Sequence, residues 1–143
     1  MCSSDLLLRE SYSAMKEWHD DGYAATVGVL WRDRICHVLH ARPNVPYELS
    51  IGAKRIADAS ESSAGLVLMA FSSKAGNSLI RKRKYAVKTF DDTTVSLGVP
   101  IGCDPILAAV AVSKKGIQKK DVPAIIKRLH MTAQLSENRI DNG

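Results

Sequence analysis

The alternation of apolar and polar residues predicts three consecutive strands in the second half of the chain. Their runs are Tyr85–Phe90, Thr93–Ile101 and Ile106–Ser113. In the middle run, one set of alternate residues is apolar and the other is small or carries hydroxyl groups, and successive side chains of a strand point to opposite faces of its sheet. Asp-Asp and Gly-Cys-Asp-Pro separate the runs, and such residues favour turns. We therefore expect adjacent antiparallel strands.

The first half of the chain combines one helical pattern with several strand patterns. Apolar residues recur at spacings of three and four between Leu6 and the stop signal at Gly22, which predicts a helix of about four turns. Tyr23–Leu30 and Ile35–Ala41 predict a hairpin, because a polar turn separates two runs that are typical of strands. After a loop with two prolines, Tyr47–Ile51 is predicted to form a short edge strand.

Three further helices complete the predicted order of elements. A switch from small polar residues to an apolar run indicates a helix that begins among residues 60–63 and continues to Phe71. Asn77 is a suitable cap for a short helix, Ser78–Lys84, and the Asp-Val-Pro sequence at 121–123 opens a long helix. Helices at both ends of an antiparallel sheet predict an α+β fold.

Length and composition are those of a single globular domain. The chain has 143 residues, of which 45% are apolar and 24% are charged, so it can bury a core without covalent staples. No apolar run approaches the length of a membrane span, and the first residues lack a secretory signal. The three cysteines, Cys2, Cys36 and Cys103, form no CxxC pair, which disfavours a disulfide framework and a zinc finger. We expect a cytoplasmic protein without a membrane partner.

The chain is basic, and its basic residues are clustered. Lys and Arg number 20 against 15 Asp and Glu, and they concentrate in Lys74–Lys88 and Lys114–Arg128. Such clusters attract polyanions in principle. Tyr85 is the only aromatic residue within them, too few for a stacking platform for bases, and no helix-turn-helix pattern is present. A solvated basic face is therefore favoured over direct nucleic-acid binding by this chain.

No group of residues has the pattern of a catalytic or metal site. The acidic residues cluster in turns, and Cys103 has an adjacent Asp but no evident His partner to activate it. His37 and His40, with Cys36, form a metal site only if one His bends away, because the two point to opposite faces of a regular strand. We expect no enzyme activity, no cofactor and no metal.

Four segments resemble the effector-binding domain of IclR-type bacterial transcription regulators. Three occur in the family's order: Ile-Arg-Lys-Arg-Lys-Tyr-Ala-Val at 80–87, Val-Ser-Leu-Gly-Val-Pro-Ile at 95–101 and Ala-Ala-Val-Ala-Val-Ser at 108–113. The fourth, at 59–71, is similar to the family segment that opens a helix beside the effector pocket, with serines and Gly65 at the matching places. The resemblance implies a GAF-like or profilin-like antiparallel sheet flanked by N- and C-terminal helices.

The resemblance also implies a function and a set of ligand-binding residues. Residues 1–143 would form a single domain that binds a small carboxylate-bearing metabolite and assembles as a homodimer or homotetramer. The family carries a winged helix-turn-helix domain ahead of the first helix, so DNA would be bound only through a domain that is not in this sequence. A helix N-terminus holds a carboxylate with its free amides, and neighbouring hydroxyls add selectivity. The expected ligand-binding residues are Ser62, Ser63, Ala64, Thr94, Ser96 and Ser113.

Two departures from the family pattern leave an alternative function open. The family has a further loop and helix after the position of Phe71, and the chain is much shorter there. Ala111 occupies a place where the family often has a hydroxyl group. The alternative is a structural dimerisation module that binds no effector, in which the serines at 60–63 only cap a helix.

Overall fold

The computed structural model describes residues 3–50, 55–72, 77–90, 93–102, 106 and 108–142. Within these ranges the chain forms helices together with one β-sheet, which confirms the predicted α+β class. In chain order the elements are α1 (Ser3–Asp20), β1 (Ala24–Trp31), β2 (Arg34–Ala41), α2 (Tyr47–Ser50), β3 (Arg55–Asp58), α3 (Ser63–Ser72), α4 (Ser78–Arg83), β4 (Ala86–Phe90), β5 (Thr94–Ile101), β6 (Ala108–Lys115) and α5 (Val122–Asn142). No helix of the described residues is long and apolar enough to cross a membrane.

The six strands form one antiparallel sheet. Their order is β3-β2-β1-β6-β5-β4, and every neighbouring pair is antiparallel. The two predicted groups of strands, the hairpin β1–β2 and the meander β4–β5–β6, therefore join through β1 and β6. In this register Ser96 lies opposite Ser113, and Ala111 lies between Gly98 and Thr26. The predicted antiparallel sheet with flanking terminal helices is confirmed.

Helices α1 and α5 cover one face of the sheet and are tied to each other. Trp18 is 1% exposed and Leu129 is fully buried in this layer. The Trp18 indole donates a hydrogen bond to Thr132 Oγ1 at 3.1 Å. The Arg128 guanidinium lies 3.8 Å from the centre of the Trp18 ring and forms an ion pair with Asp21 at 2.7 Å. The apolar face of β5, which carries Val95, Leu97 and Val99, packs into this core.

Helix α3 covers the opposite face and approaches it closely. The strand residues beneath it are small, among them Ala86, Ala109 and Ala111. A Cβ atom at Gly98 would lie 3.0 Å from the Ala64 amide nitrogen, and one at Gly65 would lie 1.9 Å from the Ala59 carbonyl oxygen. Glycine at these two positions therefore lets the start of α3 lie directly on β5 and on the short 3-10 helix that precedes it.

The prediction of a short edge strand at Tyr47–Ile51 is wrong. Tyr47–Ser50 forms the helix α2, and Ile51 lies outside the described residues. Tyr47 is 2% exposed, and its hydroxyl donates a hydrogen bond to the Tyr12 carbonyl of α1. This contact with a distant helix outweighs the local strand preference. The edge strand is instead β3, which pairs with β2 through Arg34 to His37.

Smaller differences concern the ends of elements. Strand β6 runs from Ala108 to Lys115, whereas the sequence predicts Ile106–Ser113. The Asp-Asp pair at 91–92 and the turn residues 103–105, with Cys103, lie outside the described residues. The short helix α4 begins as predicted, because the Asn77 side chain accepts hydrogen bonds from the amides of Leu79 and Ile80.

Candidate functional site

The start of α3 is capped by Ser62. This residue has extended backbone angles, and its Oγ accepts a hydrogen bond from the Gly65 amide at 3.0 Å. Its carbonyl accepts the first helical bond, from the Leu66 amide. The Ser62 hydroxyl therefore already satisfies one of the amides that a helix leaves open at its N-terminus. The positive end of the helix dipole therefore lies close to Gly98 of β5, next to the Ala64 amide.

Two of the predicted ligand-binding hydroxyls meet directly. The Oγ atoms of Ser63 and Ser96 lie 2.6 Å apart, and both residues are buried, at 0% and 7% exposure. Each hydroxyl can donate one hydrogen bond and accept others. The pair therefore satisfies itself in the absence of a ligand, and each partner retains further bonding capacity.

A small cavity adjoins this pair on the sheet face that α3 covers. Its volume is about 40 Å³, which is room for about two water molecules. It is too small for an organic acid without a movement of its walls. Its lining residues come from β1, β2, β5 and β6: Ala24, Ala25, Thr26, His40, Ser96, Ala111, Val112 and Ser113.

The six predicted site residues are thus only partly brought together. Ser96 and Ser113 line the cavity and are paired in the register of β5 and β6. Ser63 does not line the cavity itself but forms a hydrogen bond with Ser96, which does. Ala64, the next residue of α3, is fully buried. Thr94 lies opposite Lys115, at the beginning of β5 and away from the cavity lining.

The expectation that His37 and His40 point to opposite faces of β2 is wrong. In the pairing of β1 with β2, Val27 lies opposite Leu39 and Gly28 lies opposite His37, so that Val38 is an extra residue. Such a β-bulge shifts the alternation of faces by one residue. Both imidazoles consequently lie on the face covered by α3, with ring centres 6.1 Å apart.

Thr26 anchors one of these imidazoles. Its hydroxyl donates a hydrogen bond to the Leu39 carbonyl at 2.8 Å, and its Oγ1 also lies 2.8 Å from His37 Nδ1. Because the hydroxyl proton is already used, His37 Nδ1 is the donor of the second bond. His40 lines the cavity itself. Among the described residues, no three His, Cys, Asp or Glu side chains are grouped to hold a metal ion.

A cation that the sequence analysis did not single out lies at the same site. Lys88 is opposite Ser96 in the pairing of β4 with β5, and its ammonium donates a hydrogen bond to the Ser60 carbonyl at 3.0 Å. It therefore stands beside the segment that leads into α3. The alternation of residues along β4 predicts the face of the sheet on which Lys88 lies. That Lys88 neighbours Ser96 follows only from the register of β4 with β5.

Comparison with known proteins identifies the fold. No protein-family model and no curated protein matches the sequence. The chain is similar over 94% of its length to the C-terminal domain of the E. coli transcriptional regulator KdgR, of which it covers 98%, with a TM-score of 0.75 and 15% identity. Thermotoga maritima IclR gives a TM-score of 0.69 at 16% identity, over 98% of this chain and 69% of that one.

A third similar structure was solved with a small acid. It is a double mutant of the inducer-binding domain of the PobR transcription factor from Acinetobacter, in complex with 3-hydroxybenzoic acid. The TM-score is 0.68 at 14% identity, over 90% of this chain and 95% of that one. These neighbours are domains of transcription regulators and not of enzymes. The resemblance to the effector-binding domain of IclR-type regulators is confirmed at the level of the fold.

Proposed function

We propose that this chain, which has the fold of the C-terminal domains of IclR-type transcription regulators, is the domain that senses a small organic acid for such a regulator. The observation that carries the proposal is the junction of α3 with β5 and β6. There Ser96 and Ser113 line a small cavity that is partly open to solvent, and Ser63, in the first turn of α3, bonds to Ser96 beside it. Lys88 places a positive charge beside it. These groups favour an anion with several hydrogen-bond acceptors.

The chemistry of binding follows from the hydroxyl pair. Without a ligand, Ser63 and Ser96 bond to each other at 2.6 Å. A carboxylate has no proton to donate, so it accepts the hydroxyl protons of both serines and replaces their mutual bond with two charge-assisted bonds. A neutral amide or alcohol lacks the second strong acceptor. The domain should therefore prefer carboxylates to their amides.

The size of the cavity implies that binding moves its surroundings. A cavity of about 40 Å³ does not contain a metabolite, and the proposed movement is a shift of α3, which is bonded to the lining residue Ser96 through Ser63. Because Val67 and Leu68 of α3 are buried in the same layer as Ala109, the shift alters the packing of that layer as a unit. A ligand that favours the shifted state changes the populations of two arrangements.

The regulatory output belongs to the assembled protein. We place residues 1–143 in a single effector-binding and oligomerisation domain that forms a homodimer or a homotetramer. A winged helix-turn-helix domain outside these residues would contact DNA, and the shift of α3 would change how two such domains are spaced. A cytoplasmic location is part of this proposal, since the regulator must reach the chromosome.

Binding of organic acids to the purified domain tests this function. The stability of the domain is measured by thermal unfolding against keto acids, hydroxy acids and aromatic acids, because a ligand that binds only the native state raises it. Ser96→Ala removes the hydroxyl without adding bulk to the buried site, so it should abolish the stabilisation by the active acid. Ser72→Ala, at the exposed far end of α3, is the matched control and should retain it. No stabilisation by any acid would contradict the proposal.

An assembly module without an effector is the second candidate. The mutual bond of Ser63 and Ser96 and the small cavity favour it, because both leave the site satisfied without a ligand. It predicts a stable dimer or tetramer in solution whose unfolding temperature does not respond to any acid. Light scattering combined with the same thermal measurements separates the two candidates.

A further inference from the structure

A groove between the α4–β4 corner and α5 is far larger than the cavity at Ser96 and Ser113. Its volume is about 560 Å³, against about 40 Å³ for that cavity. Sites for small molecules typically have volumes of several hundred Å³, so the groove accommodates a whole organic molecule without a movement of its walls. Its lining residues are Arg83, Tyr85, Val122, Pro123, Ile126, Lys127, His130, Met131 and Gln134.

The floor and one wall of the groove are apolar. Ile126 is 8% exposed, and Met131 on the next turn of α5 is 59% exposed. Val122 and Pro123 continue this surface toward the start of α5. A methionine side chain is flexible and polarizable, so it adapts to ligands of different shape. The Tyr85 ring faces the same groove from the β4 side.

The polar residues of the groove supply positive charge without a negative counterpart. Arg83 is held in place, because its Nε donates a hydrogen bond to the Tyr85 carbonyl at 2.9 Å and its guanidinium carbon lies 4.3 Å from the centre of the Tyr85 ring. Lys127 is the second cation, and no lining residue is acidic. In the described part of the chain, ion pairs engage Lys16, His19 and Arg128 but neither of these two cations.

His130 adds a neutral polar group to the same surface. Burial lowers its pKa, and the nearby Lys84 lowers it further. The other ionisable groups that line the groove with it are Arg83, Tyr85 and Lys127. At neutral pH the imidazole is therefore uncharged. An anion in the groove would offset the surrounding positive charge and raise the pKa of His130.

We propose that this groove is a second ligand site, which binds a small organic anion with an aromatic or branched apolar body. The anionic group lies between Arg83 and Lys127, and the apolar body lies over Ile126 and Met131. Size and charge complementarity support this occupant. The site is separate from the proposed effector site, because α5 and α3 cover opposite faces of the sheet.

A matched pair of probes tests the charge requirement. 2-Naphthoate and 2-naphthamide have nearly the same shape, but only the naphthoate is charged. Each is titrated into the full chain while backbone amide signals are followed by NMR. We expect the naphthoate to shift the signals of Tyr85, Ile126, His130 and Met131, and to bind at least about tenfold more tightly than the amide. The ring signals of His130 should report a higher pKa in the bound state.

Charge-matched variants test the residues. Arg83→Gln with Lys127→Gln should weaken naphthoate binding at least about tenfold. Arg34→Gln with Lys115→Gln removes the same charge at exposed positions on the sheet and should leave the affinity within about twofold. The dispersion of the NMR signals shows whether each variant remains folded. If the first pair does not fold, Met131→Glu, an exposed change that places a negative charge in the groove, gives the same test.

Several results would overturn the second site. These are equal affinity for naphthoate and naphthamide, no loss in the groove variants, and no signal change up to about 5 mM naphthoate. Shifts confined to Ser63, Ser96 and Ser113 would assign the binding to the effector site instead. An acidic peptide that fills the groove where naphthoate does not would overturn the small-molecule assignment. Because Ser96 does not line the groove, Ser96→Ala should not affect binding there, so failure of the effector site and failure of this site are separable.

Discussion

The hydroxyl oxygens of Ser63 and Ser96 lie 2.6 Å apart, and this bond joins the first turn of α3 to the centre of β5. Both side chains are buried. The bond therefore has two roles in our interpretation: it holds the helix on the sheet, and it is the bond that a ligand must replace. Its contribution to stability is measurable without knowledge of the ligand.

Ser96→Ala should destabilise the domain by about 1–3 kcal/mol, because it leaves the Ser63 hydroxyl buried without this partner. Ser63→Ala should have a similar effect for the same reason. The double variant should lose less than the sum of the two single losses, since neither hydroxyl then remains to be satisfied. Urea unfolding of the four proteins measures this coupling. Additive losses would show that the two hydroxyls do not depend on each other.

Gly65→Ala should destabilise the domain although alanine favours helices. The new Cβ would lie 1.9 Å from the Ala59 carbonyl oxygen, and Ala59 itself is held by a hydrogen bond from its amide to the Asp33 carbonyl. Overpacking of this kind costs roughly 1–3 kcal/mol or more, which exceeds the gain of about 1 kcal/mol in helix propensity. Ser72→Ala, in the same helix and exposed, is the control and should change the unfolding free energy little.

The pH dependence of stability should contain an identifiable contribution from His19. Its Nδ1 lies 3.1 Å from Asp20 Oδ1, and its Nε2 lies 2.7 Å from the Val45 carbonyl oxygen. Both bonds favour the protonated ring, and they raise the pKa of His19 above 6.5, with the Asp20 bond as the larger cause. A raised pKa in the folded state adds stability below the unfolded-state pKa, and that stability is lost as the pH rises through the folded-state pKa.

The measurement is the unfolding free energy of the wild type relative to His19→Gln between about pH 6 and about pH 8. We expect the advantage of the wild type to decrease as the pH rises. His130→Gln is an informative control, because burial lowers the pKa of His130. There the wild type should lose stability relative to the variant as the pH falls below 6.5. A flat profile for His19→Gln would show that His19 is not protonated preferentially in the folded state.

Arg128→Ala should destabilise the layer formed by α1 and α5. The guanidinium lies 3.8 Å from the centre of the Trp18 ring and 2.7 Å from Asp21. Loss of the cation–π contact and of a half-exposed ion pair should together cost about 1–2 kcal/mol. Lys127→Ala removes the same charge from the neighbouring exposed position of α5 and serves as the control. Equal effects of the two variants would contradict a specific role for Arg128.

Local patterns predicted most of the elements because each is encoded by neighbouring residues. The alternation in β5 separates Leu97 from Ser96, and the structure places these residues on opposite faces, toward α5 and α3. The serines before the apolar run predicted the start of α3, where Ser62 is the cap. In these cases the residues that decide the structure lie within a few positions of one another.

Features that depend on distant contacts were not predictable in this way. The helix α2 forms because Tyr47 packs on α1, 35 residues away. The extra residue Val38 is defined only by the pairing of β2 with β1, so the common face of His37 and His40 was missed. The groove joins Tyr85 to Met131, and no motif connects these two parts of the sequence.

Lys88 gives the most direct test of the charge of the effector, and this prediction depends on the proposed function. Its ammonium lies 3.0 Å from the Ser60 carbonyl, and Lys88 is the strand neighbour of Ser96. Lys88→Met keeps the length of the side chain and removes its charge. If the effector is a carboxylate, the variant should bind it at least about fivefold more weakly, because one favourable charge interaction of about 1 kcal/mol is lost.

The control is Lys115→Met, on the exposed end of β6, which should leave the affinity unchanged. Calorimetric titration at two salt concentrations measures both effects, and the wild-type affinity should decrease with salt more steeply than that of Lys88→Met. An unchanged affinity in Lys88→Met would mean that α3 and the hydroxyl groups alone hold the ligand, and the preference for an anion would then rest on the helix N-terminus.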